Sequence, residues 1–217
     1  CRYLREETRS TGSGQAGDQP FALFLSWGPP HNPFGTAPAE FEAMYDPEQI
    51  VLPDNVPEEL ADRAREELAG YYAHCSALDA AFGRLMETLS STGLAENTIV
   101  IFTSDHGDML GSQGQFRKQR PWAESVRVPF LVRHPQVPGP RVDNTPIDAP
   151  DLMPTILSLC GLPVPATVDG VDCSRTILEG GPTGIDEAWL SLYPPFHDWQ
   201  YDNGCREFRG LYHERFT

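Results

Sequence analysis

The 217 residues carry 16 basic and 31 acidic side chains, a formal charge of −15, and 40% of them are hydrophobic. This balance argues against a broad nucleic-acid or anionic-membrane footprint, both of which need basic surface, while the apolar fraction suffices for one sizeable core. The strongest apolar runs, such as residues 21–27, fall far short of the ~20 residues that span a bilayer.

Residues 1–10 (CRYLREETRS) suit a helix, and residues 11–19 (TGSGQAGDQ) have linker composition. A chain that opens inside a charged helical segment without Met is expected to lack upstream sequence. Residues 21–27 (FALFLSW) read as a central strand, ended by the turn chemistry of Gly28, Pro29, Pro30, His31, Asn32 and Pro33. A histidine in a Pro-rich loop is most often structural or merely exposed. A second strand end with polar residues, described below, favours the functional reading of His31. Residues 36–57 are Pro-rich, with Phe41, Met44 and Tyr45, and are expected to wrap above the strand ends and line a substrate entrance.

From Pro57 to Ser91 the pattern is helical. Pro57 suits an N-terminal position and Glu58 and Glu59 the positive end of the dipole. Leu60, Ala64, Leu68, Tyr71, Cys75, Leu78, Phe82, Leu85 and Leu89 share one face. Tyr71, Tyr72, His74 and Asp79 are explained by core packing and ordinary surface polarity, and Gly93 is the expected C-cap.

Residues 98–103 (TIVIFT) form a β-branched and aromatic run expected of a strand buried on both faces. It stops at Ser104-Asp105-His106-Gly107-Asp108. In open α/β sheets ligands gather beyond the carboxyl ends of strands, and Asp105 with His106 places a hard oxygen and an imidazole nitrogen there. Gly107 allows a sharp turn, and Asp108 reads as a turn or capping residue. The Gly- and Gln-rich loop 111–115 then leads to Arg117 and Lys118, cations suited to an anion near a bound metal.

Residues 126–133 are a strand candidate, with Pro129 implying an edge strand or an irregular start. Asp148 or Asp151 caps a helix that runs to Cys160, with Leu152, Ile156 and Leu159 inward, and Gly161 and Pro163 end it. Asp169-Gly170-Val171-Asp172 is a turn without EF-hand spacing. Residues 187–193 and 208–216 read as strands flanking the aromatic loop 194–201. Cys1, Cys75, Cys160, Cys173 and Cys205 show no zinc-type spacing and read as buried free thiols, with a Cys173–Cys205 bridge possible in an oxidising compartment.

Taken together, FALFLSWGPPHNP, TIVIFTSDHGDMLGSQGQFRKQRPWAESVRVPFLVRHP, DAPDLMPTILSLCGLPVP and DGVD resemble, in order and spacing, the C-terminal portion of the catalytic domain of sulfatases, in the alkaline phosphatase superfamily. The resemblance implies an α/β fold, an alkaline-phosphatase-like mixed sheet flanked by helices, with the N-terminal part missing. Residues 1–217 would form one partial catalytic domain, with 21–160 carrying the core and the metal- and sulfate-binding loops and 161–217 a C-terminal region of short strands. Asp105 and His106 match two metal ligands. His31 matches the histidine that contacts the sulfate or its leaving oxygen, and Lys118 matches the sulfate-binding lysine. The family usually uses calcium as its divalent metal. The Glu124-Ser125-x-Arg127-Val128-Pro129 match reads as structural.

Two departures stand out. Sulfatases make a formylglycine nucleophile from a C/S-x-P/A-x-R motif upstream, beside an Asp pair that completes the metal site. Cys1 and Cys205 each have Arg four residues on but lack the required Pro or Ala. Gln113 replaces a histidine common among relatives. The implied activity of the intact protein is metal-dependent hydrolysis of a small-molecule or saccharide sulfate ester, the 217 residues alone being inactive. The alternatives are a phosphonate monoester or phosphodiester hydrolase of the same superfamily, and a non-catalytic binding module. No nucleic acid or membrane segment enters this reading, which leaves compartment and oligomeric state open.

Overall fold

The structure, a computed structural model, describes residues 1–10, 20–181, 184–192 and 207–213. The linker 11–19, the aromatic loop 194–201 and Cys205 fall outside the described residues. The chain divides into two compact units, Cys1–Thr98 with Met109–Phe116, and Ile99–Asp108 with Arg117–Thr217. Among the described residues no helix is long and apolar enough to cross a membrane.

The first unit is built on a long helix. Helix α1 spans Arg2–Ser10 and a single turn, α2, spans Ala39–Glu42. A 3₁₀ turn at Glu58–Leu60 then runs into α3, Ala61–Ser91, which Thr92 and the left-handed Gly93 (φ 75°) terminate. Both ends of α3 follow local chemistry, Pro and acidic residues at the start and a positive-φ glycine at the stop. Leu68 of α3 packs with Phe34 and Leu110, and Ile50, Leu52 and Tyr71 pack around them. Phe34 reaches this core only because Gly70 has no side chain: a Cβ there would lie 2.6 Å from the Phe34 carbonyl oxygen.

His74 is buried, as expected of a core histidine. The Thr36 hydroxyl donates to the Pro33 carbonyl (2.9 Å), so His74 Nε2 is the donor to Thr36 Oγ1 at 3.2 Å. The segment expected to wrap the surface lies across α3, with Tyr45 Oη 2.7 Å from Ser76 Oγ.

Residues 21–27 differ from expectation. They form no strand, and Phe24 is 92% exposed. A strand needs a hydrogen-bonding neighbour, and among the described residues the first unit contains none for this segment to pair with.

In the second unit β1, Val100–Thr103, pairs antiparallel with β2, Phe130–Arg133, in a register that sets Val100 opposite Arg133 and Thr103 opposite Phe130. Strand β1 is half-buried rather than covered on both faces, consistent with an antiparallel pair. Pro129 delays β2, and Val126 belongs instead to the short helix α4, Ala123–Val126. Helix α5 covers Ala149–Leu159 and α6 Ser174–Glu179, and β3, Glu187–Leu192, pairs antiparallel with β4, Phe208–His213.

A capping box formed by Asp148 and Asp151 starts α5. Its buried face differs from expectation: Ile156 is exposed, while Asp151 and Thr155 are buried beside Leu159. These polar groups turn inward because they hold backbone. Asp151 Oδ1 accepts the Val171 amide at 2.7 Å and Thr155 Oγ1 the Cys173 amide at 2.9 Å. Gly170 passes so close to α5 that a Cβ would fall 2.0 Å from the Pro150 carbonyl oxygen. The Asp169–Asp172 turn is thus a docking element, with Asp172 accepting the Ser174 amide at the start of α6. Cys173 is a fully buried free thiol, whereas Cys1 and Cys160 are exposed and Cys75 is half-buried.

Asp151→Ala is expected to lower the unfolding free energy by about 1–3 kcal/mol, because the Val171 and Asp148 amides lose their acceptor. Asp148→Asn keeps a capping oxygen and should cost less than ~0.5 kcal/mol. Burial, then the neighbouring Asp151 charge, hold the Asp148 carboxyl above its ordinary 3.8. A raised folded-state value stabilises the fold below the ordinary pKa, and that increment is lost as pH rises through the raised one. Urea unfolding across pH should therefore show Asp148→Asn gaining on the wild type as pH rises above 3.8.

Candidate metal and anion site

The loop after β1 brings Asp105 and His106 together. Ser104 Oγ donates to the His106 carbonyl (3.0 Å) and lies 3.4 Å from Asp105 Oδ1, which also accepts the His106 amide at 3.1 Å. With Oδ1 engaged by the loop, Oδ2 faces His106 Nε2 at 3.5 Å. The other ring nitrogen, Nδ1, sits 2.8 Å from the Gly107 carbonyl oxygen. A carbonyl only accepts, so Nδ1 carries the hydrogen and Nε2 of the neutral ring holds a lone pair. The Asp105 side chain is 85% exposed. Partial burial pushes its carboxyl up, but the positive charge that His106 carries when protonated, the Asp105 and His106 amides and the Ser104 hydroxyl hold it below the ordinary value.

Two electron-pair donors face each other here. Donors at right angles about an ion bound at ~2.4 Å would stand about 3.4 Å apart, close to the observed spacing. The pair therefore fits a divalent cation. It does not complete a shell, since calcium takes six to eight oxygens and, among the described residues, no group of three or more His, Cys, Asp or Glu could hold an ion.

The loop is held from beneath. The Gly107 amide donates to the Ser125 carbonyl at 2.9 Å, and a Cβ on Gly107 would lie 2.0 Å from the Glu124 carbonyl oxygen. The Glu124-Ser125 motif thus acts structurally, as its sequence context suggested. Asp108, which reads as a turn or capping residue, binds backbone: its Oδ1 accepts the Arg117 amide at 2.9 Å, joining the two points where the chain leaves the second unit and returns. Between them residues 109–116 pack in the first unit, with Leu110 in its core and Gly111 (φ 98°) against Ala64. Gln113 is exposed, and its amide donates to the Asn55 carbonyl.

Lys118 is half-buried and belongs to the same unit as Asp105 and His106, while His31 belongs to the first. His31 is exposed, and its Nδ1 lies 2.8 Å from the Asn32 carbonyl oxygen. It therefore has the same ring orientation rule as His106, with Nε2 as the lone-pair nitrogen. The contribution of Ser104 was not legible in the sequence; a hydroxyl immediately before Asp-His at a strand end is the signal that would have found it.

The sulfatase family model matches residues 7–162, most of the chain. The chain belongs to the sulfatase family. It is 42% identical over 183 residues to an ulvan-active sulfatase of Formosa agariphila, covering 82% of this chain and 36% of that protein. To an endo-4-O-sulfatase of Bacteroides thetaiotaomicron it is 37% identical over 177 residues, covering 77% of this chain and 34% of the relative. Among solved structures, one from work on the metabolism of multiple glycosaminoglycans by that bacterium superposes with a TM-score of 0.80 at 29% identity, covering 98% of this chain and 46% of the other. A phosphonate monoester hydrolase of Agrobacterium radiobacter shares the fold at 23% identity, with a TM-score of 0.78, 98% of this chain and 50% of that one being covered. These matches place the chain in an α/β, alkaline-phosphatase-like fold. The sulfatase chain spans about a third of the length of the curated relatives it matches.

Gly107→Ala is expected to displace the loop from α4, with a loss of stability of at least about 1–3 kcal/mol from overpacking against backbone that cannot turn aside. A thermal melt within 1 °C of the wild type would show that the Glu124 carbonyl yields.

Proposed function

We propose that these residues supply part of the cation- and anion-binding half of a sulfatase active site, and that the whole protein hydrolyses a sulfate ester. The observation that carries this reading is the facing pair of Asp105 Oδ2 and His106 Nε2 at 3.5 Å, in a chain whose relatives are sulfatases. Asp105 and His106 would hold a divalent cation, calcium by family resemblance, with the remaining ligands and the formylglycine outside these residues. When bound, the cation supplies Lewis-acid stabilisation of negative charge on the sulfuryl oxygens.

The chain's own residues do the rest of what is assigned to them. The Nδ1 hydrogen bond to Gly107 keeps His106 Nε2 in the electron-donating state that a cation needs. Lys118 offsets anionic charge as a compact point charge. By family resemblance His31 would position the ester oxygen or deliver a proton to it; with Nδ1 turned to the Asn32 carbonyl, that role falls to Nε2 of the doubly protonated ring, since an ester oxygen only accepts. The relatives named for ulvan and for endo-4-O-sulfate action support a sulfated saccharide as the substrate class.

A comparison of turnover of an aryl sulfate and an aryl phosphonate by the full-length protein tests the reading. Preference for sulfate by at least tenfold in kcat/KM is expected, and preference for phosphonate would overturn it in favour of the superfamily alternative. Lys118→Ala in the full-length protein should lower kcat/KM roughly a hundredfold or more, the loss of ~3 kcal/mol expected when a preorganised cation is removed from developing charge. An exposed ion pair, by contrast, is worth only ~0–1 kcal/mol. Its melting midpoint should move little, and Lys118→Arg should rescue only in part because a planar fork does not occupy the ammonium position. Near-normal catalysis by Lys118→Ala would remove Lys118 from the site. Asp105→Ala should weaken calcium binding by the full-length protein at least tenfold in calorimetry, since a carboxylate is the hard ligand of the pair.

A further inference from the structure

We infer that Asp108 and Ser125 are positioning residues that set Lys118 relative to the Asp105–His106 pair, an inference that rests on the sulfatase reading and on the anion role of Lys118. Lys118 stands between two non-glycine residues with left-handed backbone, Arg117 (φ 72°) and Gln119 (φ 66°). Side chains rarely adopt that region, and a residue stays in it only when its surroundings over-determine it. Each side of Lys118 has such a restraint. On one, Asp108 Oδ1 accepts the Arg117 amide at 2.9 Å. On the other, Ser125 Oγ accepts the Arg120 amide at 3.2 Å, and the Arg120 guanidinium donates to the Gln119 carbonyl at 3.2 Å.

These bonds close a ring. Ser125, through its carbonyl, also holds the Gly107 amide at 2.9 Å, and Gly107 follows His106 directly. One residue, Ser125, therefore fixes the loop of the metal pair with its backbone and the segment of Lys118 with its side chain. Asp108 completes the circuit from Gly107 back to Arg117. Ser125 is buried, so water does not readily substitute for its oxygen. The consequence for the reaction is that Lys118 is presented from a preorganised backbone, and neither Asp108 nor Ser125 touches the substrate.

The test uses the full-length enzyme, an aryl sulfate and hydrogen exchange of the peptide 116–120. Asp108→Ala should speed that exchange at least tenfold and lower kcat/KM at least tenfold. Asp108→Asn, whose amide oxygen still accepts the Arg117 N–H, should stay within threefold of the wild type in both. The double variant Asp108→Ala/Lys118→Ala should be no more than twofold worse than Lys118→Ala alone, because Asp108 acts through Lys118. Should Asp108→Ala fail to fold, Ser125→Ala carries the same comparison. Unchanged exchange in the alanine variants overturns the proposal, as does a double variant whose loss is the product of the single losses, or a Lys118→Ala enzyme with wild-type turnover. If the wild type hydrolyses no sulfate ester, the sulfatase reading has failed, and the exchange result alone decides whether the clamp exists.

Discussion

The close crossing of Gly107 over α4 is the constraint on which the candidate site depends. There is no room for a side chain between the Gly107 backbone and the Glu124 carbonyl, and the Gly107 amide is bonded to Ser125. The strand register explains why these segments meet. Thr103, the last residue of β1, is opposite Phe130, the first of β2, so the residues after Thr103 and those before Phe130 emerge at one end of the ladder. Pro129 has no amide hydrogen with which to extend the pairing. The chain instead turns α4 into that position and continues the connection through a single backbone bond. Asp105 and His106 occupy the short stretch between the end of the ladder and this crossing, which leaves them little freedom to separate.

Elements whose signals are local were legible in the sequence. The ends of α3 follow from Pro57 and Gly93, and the start of α5 from Asp148, because a proline, a positive-φ glycine or a capping carboxylate acts within a few residues of itself. Residues 21–27 show the opposite case. Their composition favours a strand, but pairing is supplied by another segment, and in this unit no described strand offers it. The buried face of α5 was misread for a related reason. Apolar periodicity points Ile156 inward, whereas backbone amides of the 171–173 segment need acceptors, and Asp151 and Thr155 provide them. An unpaired buried amide costs more than an exposed isoleucine, so the polar residues take the inward positions.

The candidate site divides along the same line. Asp105, His106 and Gly107 were recognisable because a hard donor, an imidazole and a turn follow one another at a strand end. The clamp formed by Asp108 and Ser125 was only partly so, since its meaning depends on partners 9 residues and 5 residues away along the chain. Asp108 reads in the sequence as a turn or capping residue, whereas its Oδ1 holds the Arg117 amide nine residues on, at the approach to Lys118. Similarly, His31 reads as one polar residue among prolines. Its support comes from Phe34, Thr36 and His74, which tie its loop to α3 through packing at Gly70 and a pair of hydrogen bonds.

Charge gives these local arrangements their importance. A chain with a formal charge of −15 repels an anionic ligand at long range. At physiological salt that repulsion decays over about 8 Å, so recognition falls to groups within contact distance of the anion. Asp105 by itself would worsen the repulsion; with His106, on the proposed reading, it would do the reverse, because a divalent cation on the two donors would make the carboxylate the holder of a net positive charge. In the role proposed for it Lys118 would act in the same direction without an ion, but a single ammonium on a flexible stem gains little unless its backbone is already placed. The strained residues on either side of Lys118 and the bonds that hold them serve this requirement. On the proposed reading, anion affinity would reside in a small number of residues whose geometry is fixed before a substrate arrives, against a chain whose overall charge is acidic.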